Sequence, residues 1–423
     1  MSPGLGLKSG LVARMERAGV LASGTAAPAV SAIGHALGQL RSALDRREAR
    51  PIALGTLGAL GTLGSEALPT LAEAFPSGRE VMTERGCAWV VEEVIPLAHR
   101  HGDLPLGDFV AADFAHVQTL TGDARLSAFA AREALFLDIE TTGLEHGAGN
   151  VAFLVGLGHF EHDGFHLRQV ILREPNEEAA LLAYVWEALA EHTYLASFNG
   201  KSFDISVLQH RLVLQRFCSA RESALKLKPH FDLLHLGRAL YRGLWPDARL
   251  QTLEARRLGF VRDGDMPGAL APECYFAWLR DGDARPLAGI ARHNAHDVMS
   301  MTVLAAALAA DARPVGDAGR RGLVALNVAR LYARRRAYGT ALAVLDELPP
   351  MLEHADRVEA ARLGVTCARR AREPAAHGAW LEALIALLPD EAAARAAMAR
   401  LRAAAERPRR PARARVVESE RGA

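Results

Sequence analysis

The sequence predicts an α/β layered domain with a mixed sheet flanked by helices, followed by an all-α helical-repeat segment. Three observations carry that expectation. Apolar runs between Leu135 and Leu172 are separated by turn signals and read as three strands joined by hairpins. Helical spacing then alternates with short strands, the pattern of a layered α/β domain. Beyond Asp311 the composition turns to Ala, Leu and Arg at helix-pair spacing.

Taken in order, residues 1–80 are rich in Ala, Gly and Leu. The run LGTLGALGTLG repeats Leu every third residue and fits neither helix nor strand, so this region reads as low-complexity and poorly ordered. Residues 81–126 read as an N-terminal extension packing on the main domain. They contain His99, His101 and Asp103, a spacing compatible with metal binding but more simply a solvated turn.

The compact domain is expected over residues 127–312, and Leu135–Gly143 (LFLDIETTG) is its centre. Three apolar residues lead into Asp138 and Glu140, which lie two apart on a strand and so share one face. Two carboxylates at the end of a buried strand repel each other and resist desolvation, and divalent cations relieve both penalties. The bland alternative is a strand that ends in solvent. NVAFLVGLGHF and FHLRQVIL follow as strands two and three. Glu177–Glu191 has helical spacing, and Tyr194–Phe198 reads as a short strand. Asn199-Gly-Lys201-Ser-Phe-Asp204 then opens a helix predicted from Ile205 to about Phe217. Capping is the plain explanation for Asp204 and for Asp232 further on. Lys201 reaches either a phosphate or solvent. A helix over Arg249–Phe260 offers Arg249, Arg256 and Arg257 to phosphates, and an aromatic-rich helix follows the DMPG segment. Ile290–Leu308 is predicted to be an amphipathic helix, with His293 and Asp297 on one face.

Lys plus Arg (50) nearly balances Asp plus Glu (49), so net charge supplies no polyanion signal and nucleic-acid affinity must be local. The four cysteines form no CxxC pair, which argues against a zinc ribbon or a disulfide framework and fits a reduced cytosol. The apolar stretch from Pro51 to Gly64 is shorter than the ~20 residues that span a bilayer, and no signal peptide is evident. The expected location is cytoplasmic.

D-x-E on a first strand, N-x3-F-D before a helix and H-x3-D on a late helix resemble the three sequence blocks of the DEDD exonucleases. Together with LDIETTGL, AFLVGLG, NGKSFD, RLQTLE, DMPG and HNAHD, the region from Ala134 to about Ala309 is similar to the YprB-like ribonuclease H-like family. The resemblance implies a ribonuclease H-like fold and a 3′→5′ exonuclease acting on DNA or RNA, conceivably in DNA repair. It implies that Asp138, Glu140, Asp204 and Asp297 hold two Mg²⁺ or Mn²⁺ ions, the oxygen-rich set these cations take. His293 is the expected proton acceptor, with Thr141, Asn199 and Lys201 on the substrate. In that class histidine-type members separate His from the last Asp by four residues and tyrosine-type members by three. His293 stands at the tyrosine spacing, which leaves His296 as a rival.

GLVALNVARLYARRRAYGTALAVLDELPP resembles a tetratricopeptide helix pair, and residues 318–402 are expected to form such a helical region, able to dock a protein such as a helicase. RPRRPARAR lies in an expected basic tail, 403–423. The competing function is a non-catalytic nucleic-acid-binding or scaffold protein working through its repeats, and endonucleolytic cutting by the same metal site is the third.

Overall fold

The computed structural model describes residues 68–143, 149–217, 225, 227–314, 322–348 and 352–405. The chain divides into two units: the first runs up to Tyr241 and resumes over Trp245–Ala312, and the second holds Arg242–Leu244 and the chain from Arg313 onward.

In the first unit the strands are β1 (Gly78–Thr83), β2 (Gly86–Ile95), β3 (Arg100–His101), β4 (Leu104–Pro105), β5 (Ala134–Thr141), β6 (Ala152–Phe160), β7 (Phe165–Ile171), β8 (Tyr194–Ser197) and β9 (His230–Asp232). Seven of them make one sheet in the order β1-β2-β7-β6-β5-β8-β9, and β3 with β4 forms a separate ladder. The strands from β1 to β5 in that order pair antiparallel, while β8 and β9 add in parallel. The parallel pair needs a crossover, which α2 (Asp204–Leu214) supplies after α1 (Glu178–Glu191). The chain continues through α3 (Leu233–Leu240), α4 (Ala271–Asp281) and α5 (Arg285–Asp311). This is the expected mixed sheet flanked by helices.

The sheet reaches further upstream than expected. Residues 81–95 are not an extension laid on the domain, because β2 pairs with β7 along seven residues and buries Ala88 and Val90. The low-complexity reading of residues 1–80 fails over its last part, where Thr70 and Glu73 form a capping box on the short helix Leu71–Ala74. Residues 1–67 lie outside the described residues, as do the last residues of the expected basic tail, 406–423. His230–Asp232, read only as the approach to a helix, is a buried edge strand too short to show a period.

α5 was expected to be amphipathic, yet from Val298 to Ala309 all but Met299 is buried. Glycines on β6 let it approach the sheet: a Cβ at Gly156 would collide with the Asn294 side chain, and one at Gly158 would lie 2.6 Å from Val298 Cγ1. The expected helix over 249–260 is α-helical only at Leu250–Leu253 and then widens into a π turn, Glu254–Leu258, closed by Gly259 at φ +66°. No helix among the described residues is long and apolar enough to cross a membrane. Cys87, Cys274 and Cys367 are free thiols.

The second unit is all helical, with α6 (Gly322–Arg334), α7 (Tyr338–Asp346), α8 (His354–Ala371), α9 (Pro374–Leu387) and α10 (Ala392–Ala405), each packed on the next. Gly364 of α8 lies against the indole of Trp380 on α9.

Candidate active site

Asp138 and Glu140 leave β5 on the face that carries Phe136, and the register with β6 shifts between Glu140 and Thr141. Asp204 begins α2 but does not cap it. Its Oδ1 accepts the amide of Ile139 at 3.2 Å, which draws this carboxylate against the residue lying between Asp138 and Glu140. From α5, Asn294 Nδ2 donates to Asp138 Oδ2 at 2.7 Å, while Asn294 Oδ1 accepts from Gln169 of β7 at 2.8 Å. Glu140, His293 and Asp297 offer ligand atoms that all lie within 4.8 Å of one another. The four carboxylates named from the sequence therefore converge, with His293 beside them.

Electrostatics report the same crowding. Burial, then repulsion from Asp297, Asp204 and Glu140, raises the Asp138 carboxyl well above the usual range. Glu140 is raised likewise by burial, then by Asp297, Asp204 and Asp265. Burial pushes Asp204 up to about 7, against the backbone amides that donate to it. Oxygen donors that repel one another in a buried site fit divalent cations.

A second tier of residues was not assigned from the sequence. Arg262, its side chain 5% exposed, bridges Glu254 of the π turn and Asp297 Oδ1 through Nη2. Asp265 accepts from His293 Nδ1 at 2.7 Å and from Arg262 Nη1 at 3.2 Å. Arg262 Nη1 also lies 3.2 Å from His293 Nδ1, but that nitrogen donates to Asp265 and has no lone pair for the guanidinium. Although burial opposes it, the His293 and Arg262 contacts hold Asp265 below the ordinary carboxylate range. His293 Nε2 is left as the acceptor, 3.4 Å from Asp297 Oδ2. The DMPG segment was a sequence signal for Asp265, but its role needed the fold.

A cleft of about 680 Å³ opens over the site, lined among others by Asp138, His293, Asp297, Phe198, Asn199, Arg238 and Arg249. Asn199 sits at φ +67°, and its amide donates to Asp232 Oδ1 at 2.9 Å, as the Lys201 amide does to Oδ2 at 3.1 Å. Asp232 also caps α3 as expected. Other candidates lie elsewhere. The Lys201 ammonium does not line the cleft and lies 3.9 Å from Asp123. Thr141 donates its hydroxyl to Gly143 O at 2.5 Å. Arg257 is held by Asp311 at 2.8 Å. His296 packs edge-on to Phe260, 5.4 Å between centroids, rather than on the cleft. Among the described residues the upstream His99-x-His101-x-Asp103 run gathers no metal set, and His101 is not in a solvated turn but buried, 2.7 Å from Ser300 Oγ.

Residues 135–309 match the family model described as the RNase_H superfamily. The uncharacterized protein YprB of Bacillus subtilis (strain 168) is 34% identical over 241 residues, which cover 55% of this chain and 55% of that protein. The chain thus spans about half the length of the curated relative it matches. A ribonuclease H-like fold supports a nuclease kind of hydrolase. Strand order, helix placement and the match over 135–309 give the first unit a ribonuclease H-like fold, and over those residues the chain is similar to the ribonuclease H superfamily.

Proposed function

We propose that the first unit is a DEDD-type 3′→5′ exonuclease that hydrolyses phosphodiester bonds in DNA or RNA. In this reading Asp138, Glu140, Asp204 and Asp297 hold two Mg²⁺ or Mn²⁺ ions. When bound, such ions supply charge neutralisation and activate water. The observation that carries the proposal is the Ile139 amide donated to Asp204, which joins the carboxylate of a helix to the D-x-E strand, with His293 and Asp297 beside Glu140.

His293 takes the proton of the attacking water at Nε2, because Nδ1–H is committed to Asp265. Arg262 keeps Asp297 in place by spanning it and Glu254. In the cleft, exposed Arg238 and Arg249 suit phosphates, and Phe198 offers a ring for a base. Asn199 presents its side chain from a backbone fixed by Asp232. A protein partner for the helical unit, such as a helicase, forms no part of this proposal.

End-labelled DNA and RNA, single- and double-stranded, linear and closed circular, test it with Mg²⁺, Mn²⁺ or EDTA. Stepwise shortening from 3′ ends, dependent on metal, is the expected result. Cutting of closed circles would reassign the site to endonuclease action. Binding without hydrolysis on any substrate would overturn the enzyme reading.

A further inference from the structure

The β6–β7 hairpin carries a second group of ligand-bearing side chains, on the other face of the sheet. His159 and His166 are cross-strand partners and therefore point the same way. Gly156, which faces Asp138 across the β5–β6 ladder, lies under Asn294. His159 is three residues further along β6, and that odd spacing puts it on the opposite face. Both imidazoles are buried, at 6% and 8% exposure.

Glu161 follows β6 directly, and its Oε1 lies 3.0 Å from His159 Nε2 and 3.9 Å from His166 Nδ1. His159, Glu161 and His166 each offer a ligand atom within 4.8 Å of the others. Asp163 in the turn faces the far nitrogen of His166, with Oδ1 2.9 Å from Nε2. In that contact Nε2–H donates to Asp163, which turns Nδ1 inward, toward Glu161 and toward Glu92 Oε1 at 3.5 Å. A ring lone pair aimed at two carboxylates is repulsive, so either a second proton or a cation belongs there. Glu92 is already held by Arg168 at 2.6 Å and Arg79 at 2.8 Å. Glu161 meets an arginine only distantly among the described residues, Arg168 at 3.7 Å, and its side chain is 40% exposed, which leaves an entry path.

We propose that His159, Glu161 and His166 form a site for one zinc-type transition-metal ion, oriented by Asp163 and completed by water. Two imidazoles and one carboxylate suit Zn²⁺, whereas Mg²⁺ favours oxygen ligands alone. A carboxylate behind a ligating imidazole is the usual way such a ring is oriented. The inference stands apart from the nuclease reading.

The test titrates the metal-stripped full chain with Co²⁺, a spectroscopic probe for Zn²⁺, in wild type and in an Asp138→Asn background. One equivalent with the visible absorption of a tetrahedral ion is expected in both, displaced by Zn²⁺ and not by Mg²⁺. Glu161→Gln and His166→Gln should abolish it, and Asp163→Asn should weaken it by roughly 10–100-fold. Glu161→Gln carries the test if the histidine variant does not fold, since that carboxylate is partly exposed. No tetrahedral Co²⁺ signal, a signal unchanged by Glu161→Gln, or one lost with Asp138→Asn would overturn the site and leave a proton-sharing network. Loss of hydrolysis in Asp138→Asn leaves the zinc result untouched, so the two proposals fail separately.

Discussion

Asp265 receives the Nδ1 proton of His293 across 2.7 Å, from a loop 28 positions earlier in the chain. This contact decides the tautomer and leaves Nε2 facing Asp297. Replacement by Asn removes the charge and permits the opposite tautomer. Asp265→Asn should therefore lower kcat by roughly 10–100-fold with little change in KM. Steady-state kinetics on a short oligonucleotide check this, and a loss confined to KM would move Asp265 to substrate binding.

The raised carboxylates make the metal-free protein sensitive to pH. Asp204 titrates near 7 when folded, and Asp138 and Glu140 are also raised. Unfolded carboxylates titrate at about 4. Between those values the folded chain binds more protons than the unfolded one, so stability falls as pH rises from about 4 through about 7. Thermal melts in EDTA should give a lower Tm at about pH 8 than at about pH 5.5. Added Mg²⁺ or Mn²⁺ should restore Tm mainly at the higher pH. Asp138→Asn should abolish hydrolysis, flatten the slope and raise the metal-free Tm, because Asn294 can still donate to the amide oxygen.

His293→Ala should lower turnover by roughly 10²–10⁴-fold, the range for general acid–base assistance. His296→Ala should change turnover little, since that ring lies against Phe260. Turnover of the three proteins on one short oligonucleotide decides between them. A loss seen only in His296→Ala would exchange the roles.

Gly156→Ala places a methyl group against Asn294. Overpacking of this kind costs about 1–3 kcal/mol and would press α5 away from β5, so both Tm and turnover should fall. Gly339→Ala, with nothing within 4 Å, is the matched control and should leave Tm unchanged or slightly higher. Equal melts for the two variants would show that the helix–sheet distance is not set at Gly156.

The D-x-E pair was legible because a strand has period two and needs no partner to orient it. Asp204 and Asp297 were legible only as members of an ordered set of motifs, since each alone passes for a cap or a surface pair. Arg262, Asp265 and Asn294 were not read as part of the site. Their partners lie on other elements, and the loop around Gly264 has no periodicity to orient a side chain. β2 was missed as part of the sheet because its burial depends on β7, far along the chain. The π turn at Glu254 was equally hidden, for no residue type marks it.

Gly156 and Asn294 bring together a strand made early in translation and a helix made late. Asp138 and Glu140 leave the ribosome first, and His293, Asn294 and Asp297 follow only with α5. A nascent chain stopped before Arg285 lacks both His293 and Asp297. The centre thus comes into being only after its own message has been read almost to the end of the first unit, so under the proposed function an unfinished chain carries no assembled site.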